Sequence, residues 1–212
     1  MKKKSLYIFD MDGTLFNTLG DLSVAVNFAL QKFGLKTLST EKIRSYIGNG
    51  SLKLIERSLE GADAPLKEVH KCYCDFYAEH CQNATVPYPG VVDFLKNFPA
   101  RKALATNKPH IPGIALLRHF GIESCFDAFA FGDTVSEKKP AAEPFIKVLA
   151  ETGVPKAEAV MVGDDAPDIL GAKNVGIDSV FIENGFGKRE NFAPVKPTYS
   201  IPNFSDLKDL RF

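Results

Sequence analysis

Near its amino terminus the chain reads Leu6-Tyr7-Ile8-Phe9-Asp10-Met11-Asp12-Gly13-Thr14-Leu15. Four consecutive apolar residues closed by a polar, glycine-bearing turn form the pattern of a strand buried on both faces, as in a parallel sheet. Asp10 then stands at the carboxyl end of that strand. Three more runs end the same way: Lys102-Ala103-Leu104-Ala105 before Thr106, Ala128-Phe129-Ala130-Phe131 before Gly132, and Ala159-Val160-Met161-Val162 before Gly163. Ser179 to Ile182 makes a fifth. Helix-like stretches at Val91 to Phe98, Ile114 to Phe120 and Phe145 to Thr152 separate them. Strand and helix therefore alternate as in a doubly wound, Rossmann-like α/β fold. The order of strands in the sheet is not readable from the pattern.

The alternation is interrupted between about Phe16 and Val86, where no convincing strand is found. Leu22, Val26, Ala29, Leu30 and Phe33 recur at helical spacing, as do Leu66, Val69, Tyr73, Phe76, Tyr77 and His80. The expected organisation is a catalytic core of residues 1–15 and 87–212, with an all-helical insertion over 16–86. Pro87-Tyr88-Pro89-Gly90 is the expected linker, because two prolines and a glycine resist continuing a helix.

With 212 residues the chain fits one domain plus a small insertion. Lys+Arg and Asp+Glu both number 26, so no surplus of positive charge draws it to nucleic acid or anionic lipid. No apolar run is long enough for a membrane span. The run from Leu6 to Phe9 is cut by Asp10, too early for a secretory signal, and four cysteines are too few for a disulfide scaffold. A cytoplasmic setting is expected, with Lys2 to Lys4 as a solvated end. Function then rests on a local site, and the pattern leaves the oligomeric state open.

In open α/β sheets ligands bind beyond the carboxyl ends of the strands. Those positions hold Asp10 and Asp12, Thr106 and Asn107, and Asp164 and Asp165, with Lys138 and Lys139 a short loop after the third strand. Residues two apart on an extended chain face the same way, so Asp10 and Asp12 project together. Carboxylates that converge repel one another, and a hard divalent cation relieves the repulsion. An all-oxygen set suits Mg²⁺ better than Zn²⁺. A hydroxyl and an ammonium nearby, Thr106 and Lys139, are the donors that hold phosphoryl oxygens. The set reads as metal-assisted phosphoryl transfer.

Asp10-Met11-Asp12-Gly13-Thr14-Leu15 resembles the first motif of the haloacid dehalogenase superfamily. Ala105-Thr106-Asn107-Lys108 resembles its second, Lys139-Pro140 its third, and Val162-Gly163-Asp164-Asp165-Ala166-Pro167-Asp168 its fourth, in the same order. The insertion is similar to the small helical cap of the subfamily containing phosphoglycolate phosphatases, and Tyr46-Ile47-Gly48-Asn49-Gly50 is similar to their cap loop. The resemblance implies a phosphatase acting on a small phosphorylated metabolite. It implies that Asp10 attacks phosphorus to form an aspartyl-phosphate and that Asp12 serves as general acid and base. Mg²⁺ would be held by the Asp10 carboxylate, the Asp12 backbone carbonyl and Asp164. Thr106 and the backbone at Asn107 would bind phosphate oxygens, and Lys139 would neutralise Asp10 and the transferring group. The chain departs from the pattern twice: Asn17-Thr18 stands where many relatives have an acid followed by Ser, and Pro144 falls late for a Lys-Pro-x-Pro third motif.

A β-phosphoglucomutase-like phosphomutase uses the same core and is the alternative activity; a regulatory module that traps phosphate is a third reading, disfavoured by Asp12. Asp165 and Asp168 lie where a helix should begin, with Pro167 in its first turn, so capping competes with a site role for both. The cluster His70, Cys72, Cys74, His80 and Cys81 invites a zinc site, but its members diverge around a helix, and core packing is the expected role. His110 and His119 are expected as surface or core residues.

Overall fold

The computed structural model describes residues 4–212. Strand β1 (Leu6–Phe9) is followed by the two-residue strand β2 (Phe16–Asn17) and by helices α1 (Leu19–Lys32), α2 (Thr40–Arg44), α3 (Ser51–Ser58) and α4 (Leu66–His80). The chain returns through β3 (Val86–Pro87) and then alternates through α5 (Val91–Asn97), β4 (Arg101–Ala105), α6 (His110–His119), β5 (Ala128–Ala130), α7 (Glu143–Thr152), β6 (Ala159–Gly163), α8 (Ala166–Val175) and β7 (Asp178–Ile182). A last strand, β8 (Tyr199–Ile201), was not legible in the sequence.

Six strands form one parallel sheet in the order β5-β4-β1-β6-β7-β8. Successive residues of β1 serve opposite faces, as a period of two requires. Tyr7 and Phe9 join Leu104, Val160 and Val162 in the core under α5 and α6. Leu6 and Ile8 join Ala103, Ala105 and Met161 under α7 and α8. Both faces are covered, which is why the strands read as unbroken apolar runs. From β1 the order runs outward through β4 and β5 on one side and through β6 and β7 on the other. The reversal opens a crevice beyond the carboxyl end of β1, where a ligand site belongs.

Contrary to the strand-free insertion expected from the sequence, β2 and β3 pair antiparallel, Phe16 with Pro87 and Asn17 with Val86. Two residues are too few to display a period, and partners distant in sequence leave no local signature. Between them, α1 buries Leu22, Ala25, Val26, Ala29 and Leu30, and α4 buries Val69, Tyr73 and Tyr77 at four-residue spacing. The buried Asp21 carboxylate accepts from the backbone of Ala84 and Thr85 at 2.8–3.0 Å, tying the start of α1 to the returning chain.

Lys4 is not solvated. Its ammonium is buried against the Ala157 carbonyl at 2.9 Å and Asp178 at 2.6 Å, while Lys2 and Lys3 lie outside the described residues. Among the described residues no helix is long and apolar enough to cross a membrane.

Candidate active site

Register brings the functional residues to one level. Phe9 pairs with Leu104 on one side and Val162 on the other, so the turns that follow β1, β4 and β6 emerge together. Asp10, Thr106 and Asp164 are thereby neighbours. Gly13 has φ +87°, and a Cβ there would lie 2.2 Å from Asp164 Oδ2. Only glycine accepts both the left-handed backbone and this approach.

One carboxylate oxygen each from Asp10, Asp164 and Asp168 lies within 4.8 Å of the others. Asp164 is fixed by a 2.6 Å hydrogen bond from the Thr14 hydroxyl to Oδ1, and by the backbone N–H of Phe186 donating to Oδ2 at 2.7 Å. Lys139 enters from the loop after β5, with Nζ 2.6 Å from Asp168 Oδ1 and 3.0 Å from Asp10 Oδ1. Its neighbour Lys138 is exposed. Burial pushes the Lys139 ammonium down, and the Asp10 and Asp168 carboxylates more than reverse it, so it stays charged. One cation thus pairs with two of the three clustered carboxylates, Asp10 and Asp168. Burial, then the charges of Asp168 and Asp10, push Asp164 well above the ordinary carboxylate range. Burial also raises Asp168 to about 7 against the pull of Lys139. The excess of negative charge and the all-oxygen donor set fit a hard divalent cation.

The sequence placed Asp12 with the metal ligands, through its backbone carbonyl. Its carboxylate turns elsewhere and the third member of the acidic cluster is Asp168, because the Asp12 side chain is held by Lys108 Nζ at 2.9 and 3.2 Å. Lys108 also donates to the Tyr77 hydroxyl of α4 at 2.7 Å. Asp12 and Asp10 are therefore held by different lysines and can do different work. Lys108 had no role assigned from sequence, although it stands two residues after Thr106 in the same turn.

Asn107 has a further, side-chain role. Its side-chain amide donates to the carbonyls of Gly48 and Lys139, both at 3.0 Å, so the side chain clasps the helical segment to the loop of Lys139. Its backbone N–H, the group expected to meet phosphate, has no acceptor among the described residues. Thr106 is buried, its hydroxyl 3.3 Å from the N–H of Lys108. Asp165 and Asp168 form a capping box at the start of α8, and Asp168 additionally accepts the Lys139 ammonium. The two readings of Asp168 are thus both satisfied by one side chain.

A cavity of about 290 Å³ opens above these residues, walled on the helical side by Leu22, Ile47, Leu54, Tyr73 and Tyr77. The cysteine and histidine cluster does not converge. His70 Nε2 faces the Ser51 hydroxyl at 2.9 Å and Cys74 Sγ at 3.3 Å, Cys81 is buried, and His80 stacks on Phe76. His110 packs edge-on to Phe131 and His119 to Phe120.

The chain is similar to known proteins. The family model described as haloacid dehalogenase-like hydrolase matches residues 7–182. A phosphoglycolate phosphatase of Psychrobacter arcticus is 34% identical, over 97% of this chain and 95% of its own. The crystal structure of a predicted phosphoglycolate phosphatase from Haemophilus somnus superposes with a TM-score of 0.89 at 28% identity, covering 99% of this chain and 98% of that one. CbbY from Rhodobacter sphaeroides, crystallised with phosphate, matches with a TM-score of 0.82 at 26% identity and 96% coverage of both chains.

Proposed function

Because the chain belongs to the haloacid dehalogenase-like hydrolase family, we propose that it is a Mg²⁺-dependent phosphatase that hydrolyses a small phosphomonoester through an aspartyl-phosphate. One observation carries this reading: Asp10 stands 3.0 Å from the Lys139 ammonium and within 4.8 Å of Asp164 and Asp168, while Asp12 is held apart by Lys108. Two adjacent carboxylates with separate partners can serve as nucleophile and as acid-base group.

In the first displacement an Asp10 carboxylate oxygen bonds to phosphorus as the ester P–O bond breaks, and Asp12 gives its proton to the departing alkoxide. In the second, water attacks phosphorus, Asp12 takes its proton, and the bond to Asp10 breaks to release inorganic phosphate. Lys139 offsets the charge on Asp10 and on the transferring oxygens, and the Thr106 hydroxyl with the Asn107 N–H orients them. Asp10 and Asp164 would hold Mg²⁺ with the Asp12 backbone carbonyl, and the ion would supply Lewis-acid polarisation of the phosphoryl group. Residues 16–86 act as a cap that excludes water, with residues 1–15 and 87–212 as the core. The relatives named phosphoglycolate phosphatase make a short ester of that kind the first candidate substrate. The four unbridged cysteines fit a reducing, cytoplasmic setting.

The test is a panel of small phosphate esters assayed with and without Mg²⁺. Phosphate release that requires the ion and vanishes in Asp10→Asn is expected. Full release by Asp10→Asn would overturn the mechanism, and an isomeric ester in place of inorganic phosphate would establish a mutase.

A further inference from the structure

Asp164 is held from two sides. The Thr14 hydroxyl fixes Oδ1, and the loop after β7 wraps Oδ2, with the Phe186 N–H at 2.7 Å and the Gly187 N–H at 3.4 Å. Glycine makes this approach possible: a Cβ at Gly185 would lie 2.2 Å from the Asp164 Cβ, and one at Gly187 2.4 Å from the Asp164 carbonyl oxygen. The same two glycines give the loop no side chains with which to anchor itself. An anchor comes instead from the helical segment. The guanidinium of Arg44, the last residue of α2, donates to the Gly185 carbonyl and lies 5.8 Å over the centre of the Phe186 ring.

The Gly185 carbonyl and the Phe186 N–H belong to one peptide unit. That unit is planar and trans, so its C=O and N–H point in opposite directions and turn together. A donor fixed on the oxygen therefore sets the direction of the N–H, and hydrogen bonds chained in this way polarise and strengthen one another. Neighbouring cations of the helical segment are engaged within it: Arg57 donates to the Tyr46 carbonyl at 2.9 Å and to Asn49 Oδ1 at 2.7 Å, and Lys42 pairs with Glu60 at 3.1 Å. The charge of Arg44 also reaches the site, since burial pushes the Tyr88 phenol up to about 12, Asp164 adds to the rise and Arg44 opposes it. Building on the Mg²⁺-dependent reading above, we infer that Arg44 is a positioning residue for Asp164, acting through the Gly185–Phe186 peptide. The contact crosses from the helical segment to the core, so the seating of that segment and the orientation of a metal ligand are set together.

The sign of the effect separates positioning from charge. A cation near the site repels a dication, so on charge alone the loss of Arg44 would tighten Mg²⁺ binding. Loss of the peptide's anchor weakens it. The test is calorimetry of Mg²⁺ binding to the full chain, which needs no turnover. Arg44→Met is expected to weaken binding by about tenfold, the lower end of what groups that orient a ligand contribute. Arg44→Lys should recover part of the loss, because lysine keeps a donor for the carbonyl and lacks the planar face for the ring. Lys42→Met, a cation of the same helix with partners inside the segment, should leave the affinity within about twofold. Unchanged or tighter binding in Arg44→Met overturns the inference, and a raised KM beside it would make Arg44 a clasp of the helical segment alone. Equal weakening in Lys42→Met also overturns it. Phe186→Leu keeps the N–H and removes the ring; it should weaken binding by about threefold, and Arg44→Met should cost less on that background than on the wild type. Unchanged affinity in Phe186→Leu overturns the inference even if Arg44→Met fails to fold. Wild-type protein that binds no Mg²⁺ would overturn the metal reading and this inference with it, whereas wild-type binding that Arg44→Met leaves intact overturns the inference alone.

Discussion

The Thr14 hydroxyl donates to Asp164 Oδ1 at 2.6 Å, joining the turn that carries Asp10 and Asp12 to a carboxylate at the end of β6. The bond is buried and fixes a carboxylate that clusters with Asp10 and Asp168. Groups that orient a metal ligand typically contribute 10- to 100-fold in affinity. Thr14→Val keeps the shape and removes the donor, so Mg²⁺ affinity measured by calorimetry should fall by about that factor. Unchanged affinity would show that Asp164 does not hold the ion.

Lys139 bridges Asp168 and Asp10 with its side chain 1% exposed. Lys139→Met leaves both acids without their cation, and breaking a buried pair in this way costs about 3–5 kcal/mol. Urea denaturation of the metal-free protein should report a loss of that size, along with loss of turnover. Lys138→Met, at the exposed neighbour, should shift the midpoint little. The reverse pattern would assign the buried pairing to Lys138.

The raised carboxylates predict a pH dependence. Asp164 lies well above its ordinary range and Asp168 at about 7, burial being the first cause of each. Unfolded, both would titrate near about 4. The folded state therefore binds more protons than the unfolded state between these values, and stability from these groups is complete below about pH 4 and lost as pH rises through 7. A divalent cation stabilises the ionised form and competes with those protons. The rise in melting temperature on adding Mg²⁺ should be larger at pH 8 than at pH 5.5. A pH-independent rise would place the ion elsewhere.

Gly13→Ala tests the close approach of the β1 turn to Asp164. A Cβ 2.2 Å from Asp164 Oδ2, on a backbone at φ +87°, forces either the turn or the carboxylate to move. Strain of this kind costs of order 1–3 kcal/mol. The variant should fold with a lowered melting temperature and lose the Mg²⁺-induced shift. A normal shift would mean that Asp164 can retreat and still bind.

Much of the site was legible because its chemistry is written in local order. Asp10, Thr106 and Asp164 each follow an apolar run, and a parallel sheet gathers such positions at one edge. Asp165 and Asp168 were ambiguous between helix capping and the site, and the structure gives both a capping role, with Asp168 also on Lys139. The role of Lys108 is not legible in sequence because its partners, Asp12 and Tyr77, are far away along the chain. The side-chain role of Asn107 was not legible, since the Gly48 carbonyl that occupies its amide belongs to a loop of the helical segment. The pairing of β2 with β3 and the burial of Lys4 escaped for the same reason.

By itself the sequence determined the alternation of strand and helix, the position of the helical segment and the acids at the strand ends, because backbone periodicity and turn chemistry act over a few residues. Tertiary structure alone decided the sheet order, which lysine meets which carboxylate, and how the helical segment closes on the core. Charges find partners through space and burial sets their strength, and neither is encoded in the spacing of residues along a chain.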